Sequence, residues 1–196
     1  MNSLTRNLGY LILGIVLAGE IHAQAAGGSA QAKQAPADQA PATKMEAFSP
    51  TAGSVVIFGY DELGRVGSIS VDVRQLRDAR AADVRGLVVE VTESQYRKER
   101  SFVDADEIPE LLKGFDALLE VTTNPTQFKN FEVQYKTKGA LQLVAFNDAR
   151  GTLSYSVKAG RTLPASAFLN ASDMEKLRAL FVTALEKLNS LTRPSK

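Results

Sequence analysis

The sequence contains no cysteine and no tryptophan, and its single histidine is His22. Without thiols no disulfide can form in an oxidising compartment, and no cysteine is available for a lipid anchor or for a Cys-ligated zinc or haem site. His22 lies in an N-terminal stretch that reads as a leader, so the mature chain expected after its removal has no imidazole. That excludes the usual general base near neutral pH, the Ser-His-Asp arrangement and thiol catalysis. The spacings G-x-S-x-G, S-x-x-K, G-x-G-x-x-G and the phosphate-binding P-loop are missing from the mature chain as well. No cofactor is implied. With 23 basic and 22 acidic side chains the net charge is +1, so nothing favours nucleic acid or an anionic membrane surface.

The N-terminus carries the features of an export signal. Arg6 is the positive flank, Leu8 to Gly19 is an apolar run, and Ala23-Gln24-Ala25 matches a small-residue cleavage site. At about 1.5 Å per helical residue the run spans roughly 18 Å, short of the roughly 30 Å of hydrocarbon that a spanning helix must cross. The expectation is therefore a cleaved signal peptide over residues 1–25, a periplasmic or secreted mature protein, and no membrane span after cleavage. Residues 26–50, rich in Ala, Gln and Pro, read as a disordered spacer, because they offer too little apolar surface to offset the entropy of ordering. Residues 51–193 form the expected single α+β domain.

The centre of that domain is the stretch from Arg97 to Leu119. Ile108, Leu111, Leu112, Phe115, Leu118 and Leu119 recur on one face of a 3.6-residue period, which predicts an amphipathic helix. Asp106 is suited to cap it, Pro109 falls in the first turn where no N–H is needed, and Glu107 and Glu110 suit the positive end of the dipole. Asp104, Asp106, Glu107 and Glu110 are also the candidate acidic cluster for a cation or acid–base pair. The D-x-D start of a calcium loop is not continued, because Ile108 and Pro109 stand where a ligand and a glycine belong.

Strand patterns flank this helix. Ser54 to Phe58 is β-rich, Asp61 to Gly64 reads as a turn, and Ile69, Val71 and Val73 alternate with Ser68, Ser70 and Asp72. Leu87, Val89 and Val91 take one face of a third strand. Tyr96 to Val103 predicts a fourth, whose Arg97, Lys98 and Arg100 suit a guarded edge or a surface that binds phosphate or a carboxylated glycan. After Asn124-Pro125, three strands are expected around Phe131–Tyr135, Leu141–Phe146 and Leu153–Val157, with Val144 and Phe146 apolar on the face that should be wet. Ser172 and Glu175 predict a capping box opening a terminal helix striped by Met174, Leu177, Phe181, Ala184, Leu188 and Leu191.

The fold expected is thus a mainly antiparallel sheet of about seven strands, ordered four strands, helix, three strands, helix, with both helices on its apolar face. The two strands-then-helix runs suggest a loose duplication without a clear sequence repeat. For function, the missing residue types favour a non-enzymatic module that recognises an envelope or secreted macromolecule, protein or glycan. Its candidate surface is Arg97, Lys98, Arg100, Val144 and Phe146. The alternatives are a hydrolase of envelope polysaccharide working through the acidic cluster, and a structural protein that self-associates through the terminal helix.

Overall fold

The computed structural model describes residues 40–48, 52–78 and 83–192. The expected signal peptide, most of the expected spacer and Pro194 lie outside the described residues. The fold is α+β, and its strands pair antiparallel throughout. In place of one sheet of about seven strands, the described residues form eight strands divided into two four-stranded sheets. The first contains β1 (Val56–Val66), β2 (Ile69–Asp78), β3 (Asp83–Ser94) and β4 (Arg97–Asp104) in that order. The second contains β5 (Glu132–Lys136), β6 (Gln142–Asn147), β7 (Leu153–Ala159) and β8 (Ala165–Leu169). Each sheet is followed by a long helix, α2 (Ile108–Leu119) and α3 (Ala171–Thr192), so the architecture repeats even though the residues do not. A short helix, α1 (Lys44–Ala47), precedes them all.

Two sequence expectations about β1 and β8 are corrected. The polar run Asp61–Gly64 is not a turn: β1 passes through it, and a bulge between Glu62 and Gly64 sends Leu63 toward the core. The reversal falls instead at Gly67-Ser68, where Gly67 takes a positive φ of 56° inside a two-residue hairpin. β8 was not expected, because alanine is a poor strand former. It pairs with β7 and turns Ala165, Ala167 and Leu169 inward.

The apolar faces of both sheets and both long helices share one core. Ile69, Val71, Val73, Leu87, Val89 and Val91 enter it from the first sheet, and Leu143, Ala145, Tyr155 and Val157 from the second. The helices do not lie side by side on a single sheet. α2, although it follows the first sheet, packs on β5 and β6 of the second, and α3 packs chiefly on β1 and β2 of the first. They meet each other through Phe115 and Phe181, whose rings lie 5.2 Å apart, and through a two-bond pair in which Arg178 donates to Asp116 at 2.6 and 3.0 Å. Gly114 allows α2 to approach β5, since a Cβ there would lie 2.6 Å from the ring of Tyr135. The buried stripe of α3, Met174 through Leu188, faces this core and so is not available to pair between copies.

Helix termini also differ from expectation. α3 begins two residues early, capped by Asn170, whose Oδ1 accepts from the Asp173 N–H at 2.9 Å, and no Ser172–Glu175 box opens it. A 3-10 turn, Ala105–Glu107, precedes α2, so Asp106 is not its N-cap.

Candidate functional site

The acidic cluster is brought together at the β4–α2 junction, where each of its four members holds a structural partner. Asp104 is buried, and its two carboxylate oxygens accept from the Lys44 and Met45 N–H groups of α1 at 2.8 and 3.2 Å. It therefore caps a helix 60 positions away in the chain. Asp106 accepts from Lys44 Nζ at 2.9 Å, and that ammonium holds its carboxyl below the usual aspartate value. Glu107 reaches both ways: Oε2 accepts from the Asp104 N–H at 3.3 Å and Oε1 from the Lys138 N–H at 3.0 Å. Glu110 pairs with Lys113 one turn on. Among the described residues no three His, Cys, Asp or Glu side chains converge as a metal-ligand set. A cleft of about 370 Å³ beside this junction is lined by Lys44, Asp83, Arg85 and Asp106, which pair off as Lys44–Asp106 and Arg85–Asp83.

α1 belongs to the stretch that composition assigns to the spacer, yet it is tied down at several points. Thr43 and Glu46 form a capping box, and Glu46 also accepts from Arg161 at 3.1 and 2.5 Å. Burial would push the Glu46 carboxyl up, but the Arg161 guanidinium and the Thr43 and Ala42 N–H groups hold it below its usual value. Met45 then seals a second, smaller apolar cluster with Leu76 and Val88 on the outward face of the first sheet. Gly86 lies beneath it, where a Cβ would come within 2.5 Å of the Met45 sulfur.

The basic residues of β4 are likewise engaged. Lys98 and Arg100 both donate to Glu90 at 2.6 Å across the β3–β4 ladder. Burial would raise Glu90, but those two cations hold it low. Arg97 pairs with Glu93 and donates to the Pro164 carbonyl. The positive charge of this edge is largely spent within the fold, and little is left to gather an anion.

Val144 and Phe146 are placed differently from each other. Both point to the outward face of the second sheet, as their alternation with Leu143 and Ala145 requires. Val144 is only 1% exposed and so is not itself a contact residue. Phe146 is partly exposed and meets Phe168 of β8 edge to face, with ring centroids 6.2 Å apart. The pair bridges across β7, whose outward residues there, Ser154 and Ser156, are small enough to leave room. Phe168 is 74% exposed. Around the two rings the face is polar, with Glu132, Gln134, Lys136, Gln142, Lys158 and Ser166. No helix covers it among the described residues.

Phe168 escaped the sequence reading because β8 did. The alternation Ala165, Ala167, Leu169 against Ser166 and Phe168 was the available signal, masked by the weak strand propensity of alanine. No family model matches the chain, and no match was found among curated proteins.

Proposed function

We propose that the protein is a non-enzymatic binding module of the bacterial cell envelope, exported by its N-terminal signal, whose recognition face is the outward side of the second sheet. The observation that carries this reading is the aromatic pair Phe146–Phe168 standing on a sheet face that no helix covers among the described residues, where the apolar Val144 is buried and the other residues that water reaches are polar. A large aromatic left that exposed in a folded domain gains most from burial against another surface, and flanking glutamines, serines and lysines provide the polar rim typical of a contact patch. The partner class is an envelope or secreted protein or glycan. Asp104, Asp106 and Glu107 of the acidic cluster are occupied in joining α1, β4 and the β5–β6 turn, and Glu110 pairs with Lys113, which supports contact over turnover as the role of this molecule.

The test is photo-crosslinking in the native cell from a probe placed at Ser166, beside Phe168, followed by identification of what is captured. A saturable adduct is expected for the native chain, and a Phe168→Ser variant should lose about tenfold or more of it, the range of a contact hot spot. Thermal unfolding should stay within a few degrees of the native chain. Absence of any saturable adduct, or full capture by the variant, would sink the reading.

A further inference from the structure

A different surface, the free edge of β1, points to a partner of its own. β1 pairs only with β2 in its sheet, so its other edge has no strand neighbour among the described residues. Exposed strand edges are ordinarily guarded by charge, and this molecule guards others that way. β4 carries Arg97, Lys98, Glu99 and Arg100, and β5 carries Glu132 and Lys136. From Ser54 to Tyr60, however, there is no charged residue. Four large apolar side chains stand out there instead: Val55 is 68% exposed, Ile57 57%, Phe58 62% and Tyr60 78%. They project from both faces of the strand, so no single docked helix could cover them; an added strand could.

We infer that β1 pairs antiparallel with β1 of a second copy about a two-fold axis through Ile57. The register follows from the residues. Centred on Ile57, the two-fold sets Val56 opposite Phe58, Val55 opposite Gly59 and Ser54 opposite Tyr60. The whole uncharged tract is thereby matched with itself. Asp61 and Glu62 fall opposite Gly53 and Ala52, so no carboxylate meets a carboxylate. Shifting the axis two residues on, to Gly59, would set Asp61 against Ile57 and Glu62 against Val56, burying charge against apolar side chains. Val56 against Phe58 is a β-branched–aromatic pair, a favourable cross-strand combination. Gly59 lacks a side chain on the inner face, where a cleft of about 190 Å³ between β1, β2 and the end of α3 is lined by Gly59, Val73, Gln75, Lys187 and Leu191. The opposing Val55 enters that space. Pairing of this kind is isologous and closes on itself, joining two four-stranded sheets into one of eight.

The absence of native cysteine makes the geometry directly measurable. In the full chain, an Ile57→Cys variant places the new side chain opposite its own copy at a Cα separation of about 4.5–5.5 Å, within disulfide range. Val55→Cys places its copies about 13 Å apart along the ladder, out of range. Mild oxidation should therefore crosslink the first variant and not the second. Sedimentation of the native chain should give a dimer, and Ile57→Lys should raise its dissociation constant by about tenfold or more with the far-ultraviolet spectrum unchanged. A native chain that stays monomeric at high concentration, or an Ile57→Lys variant that dimerises as well as native, overturns the proposal. Crosslinking of Val55→Cys alone overturns the register. Because Phe168 lies on the other sheet, Phe168→Ser should leave the dimer intact, which separates this result from the fate of the recognition face.

Discussion

In the first half of the molecule, strands of eight to twelve residues form a sheet that is covered on both sides: the main core lies beneath it, and α1 with Met45 closes part of its outward face. In the second half, strands of five to seven residues make a sheet of the same order whose outward face carries Phe146 and Phe168 and no helix among the described residues. The strand-then-helix plan is common to both. What differs is a cover brought from outside the repeat, and its anchors, Asp104 and Arg161, come one from each half. A repeated unit thus becomes asymmetric when one face is capped, and the face without such a cap is the one proposed for recognition.

The most severe way to break this arrangement is at the seam of the halves. A Cβ on Gly139 would sit 1.8 Å from the Phe102 carbonyl oxygen, which is backbone and cannot rotate aside. Gly139→Ala should cost about 3 kcal/mol or more, measured by urea unfolding, since forced overpacking is at least that costly when the neighbour cannot yield. Next in size, Met45→Ala should destabilise by about 2 kcal/mol through loss of buried thioether and the cavity it leaves. That variant would make the first sheet resemble the second, and it should bind more of a hydrophobic dye than the native chain does.

The attachment of α1 should also depend on acidity. Glu46 has a folded-state pKa below its ordinary value, so its contribution to stability is present above the ordinary glutamate value of about 4.3 and is lost as pH falls through the lower folded value. Native stability should drop on acidification through and below pH of about 4, and Glu46→Gln should flatten that part of the profile. An unchanged profile in the variant would mean that Arg161 and Glu46 do not clamp α1 in solution. On the open face, Phe168→Ser should change stability by about 1 kcal/mol at most, the scale of an edge-to-face contact. The smallest effect is expected at Ala140, a buried residue in the β5–β6 turn with φ of 63°. Replacing it with glycine relieves left-handed strain but adds unfolded-state entropy, and the balance should be stabilising by about 0.5 kcal/mol.

Much of the secondary structure was legible because burial imposes a period. Leu87, Val89 and Val91, and Ile108, Leu111, Phe115 and Leu118, are buried as their spacing requires, with Leu112 and Leu119 half-buried at the border of the stripe. Phe146 could be picked out as an apolar residue on a wet face, but its partner Phe168 could not, because a strand written Ala-Ser-Ala-Phe-Leu has little intrinsic preference for extension. Val144, with the same alternation as Phe146, turned out buried. Alternation names a face, and neighbours decide how much of it water reaches. The acidic cluster showed the opposite limit: its four members were visible, while their partners, Lys44 and Lys138 among them, were not predictable from any local spacing.

What the sequence determined by itself was the thiol chemistry excluded by having no cysteine, the antiparallel α+β class, and the apolar stripe of each long helix. These are short-range properties: composition is independent of folding, and periodicity needs only a dozen neighbouring residues. The tertiary structure alone decided that the strands divide into two sheets, that each helix lies on the sheet of the other half, and that Asp104 caps a helix 60 residues before it. Those outcomes rest on contacts between residues far apart in the chain, whose free energies depend on which surfaces are left to be covered once every local element has formed.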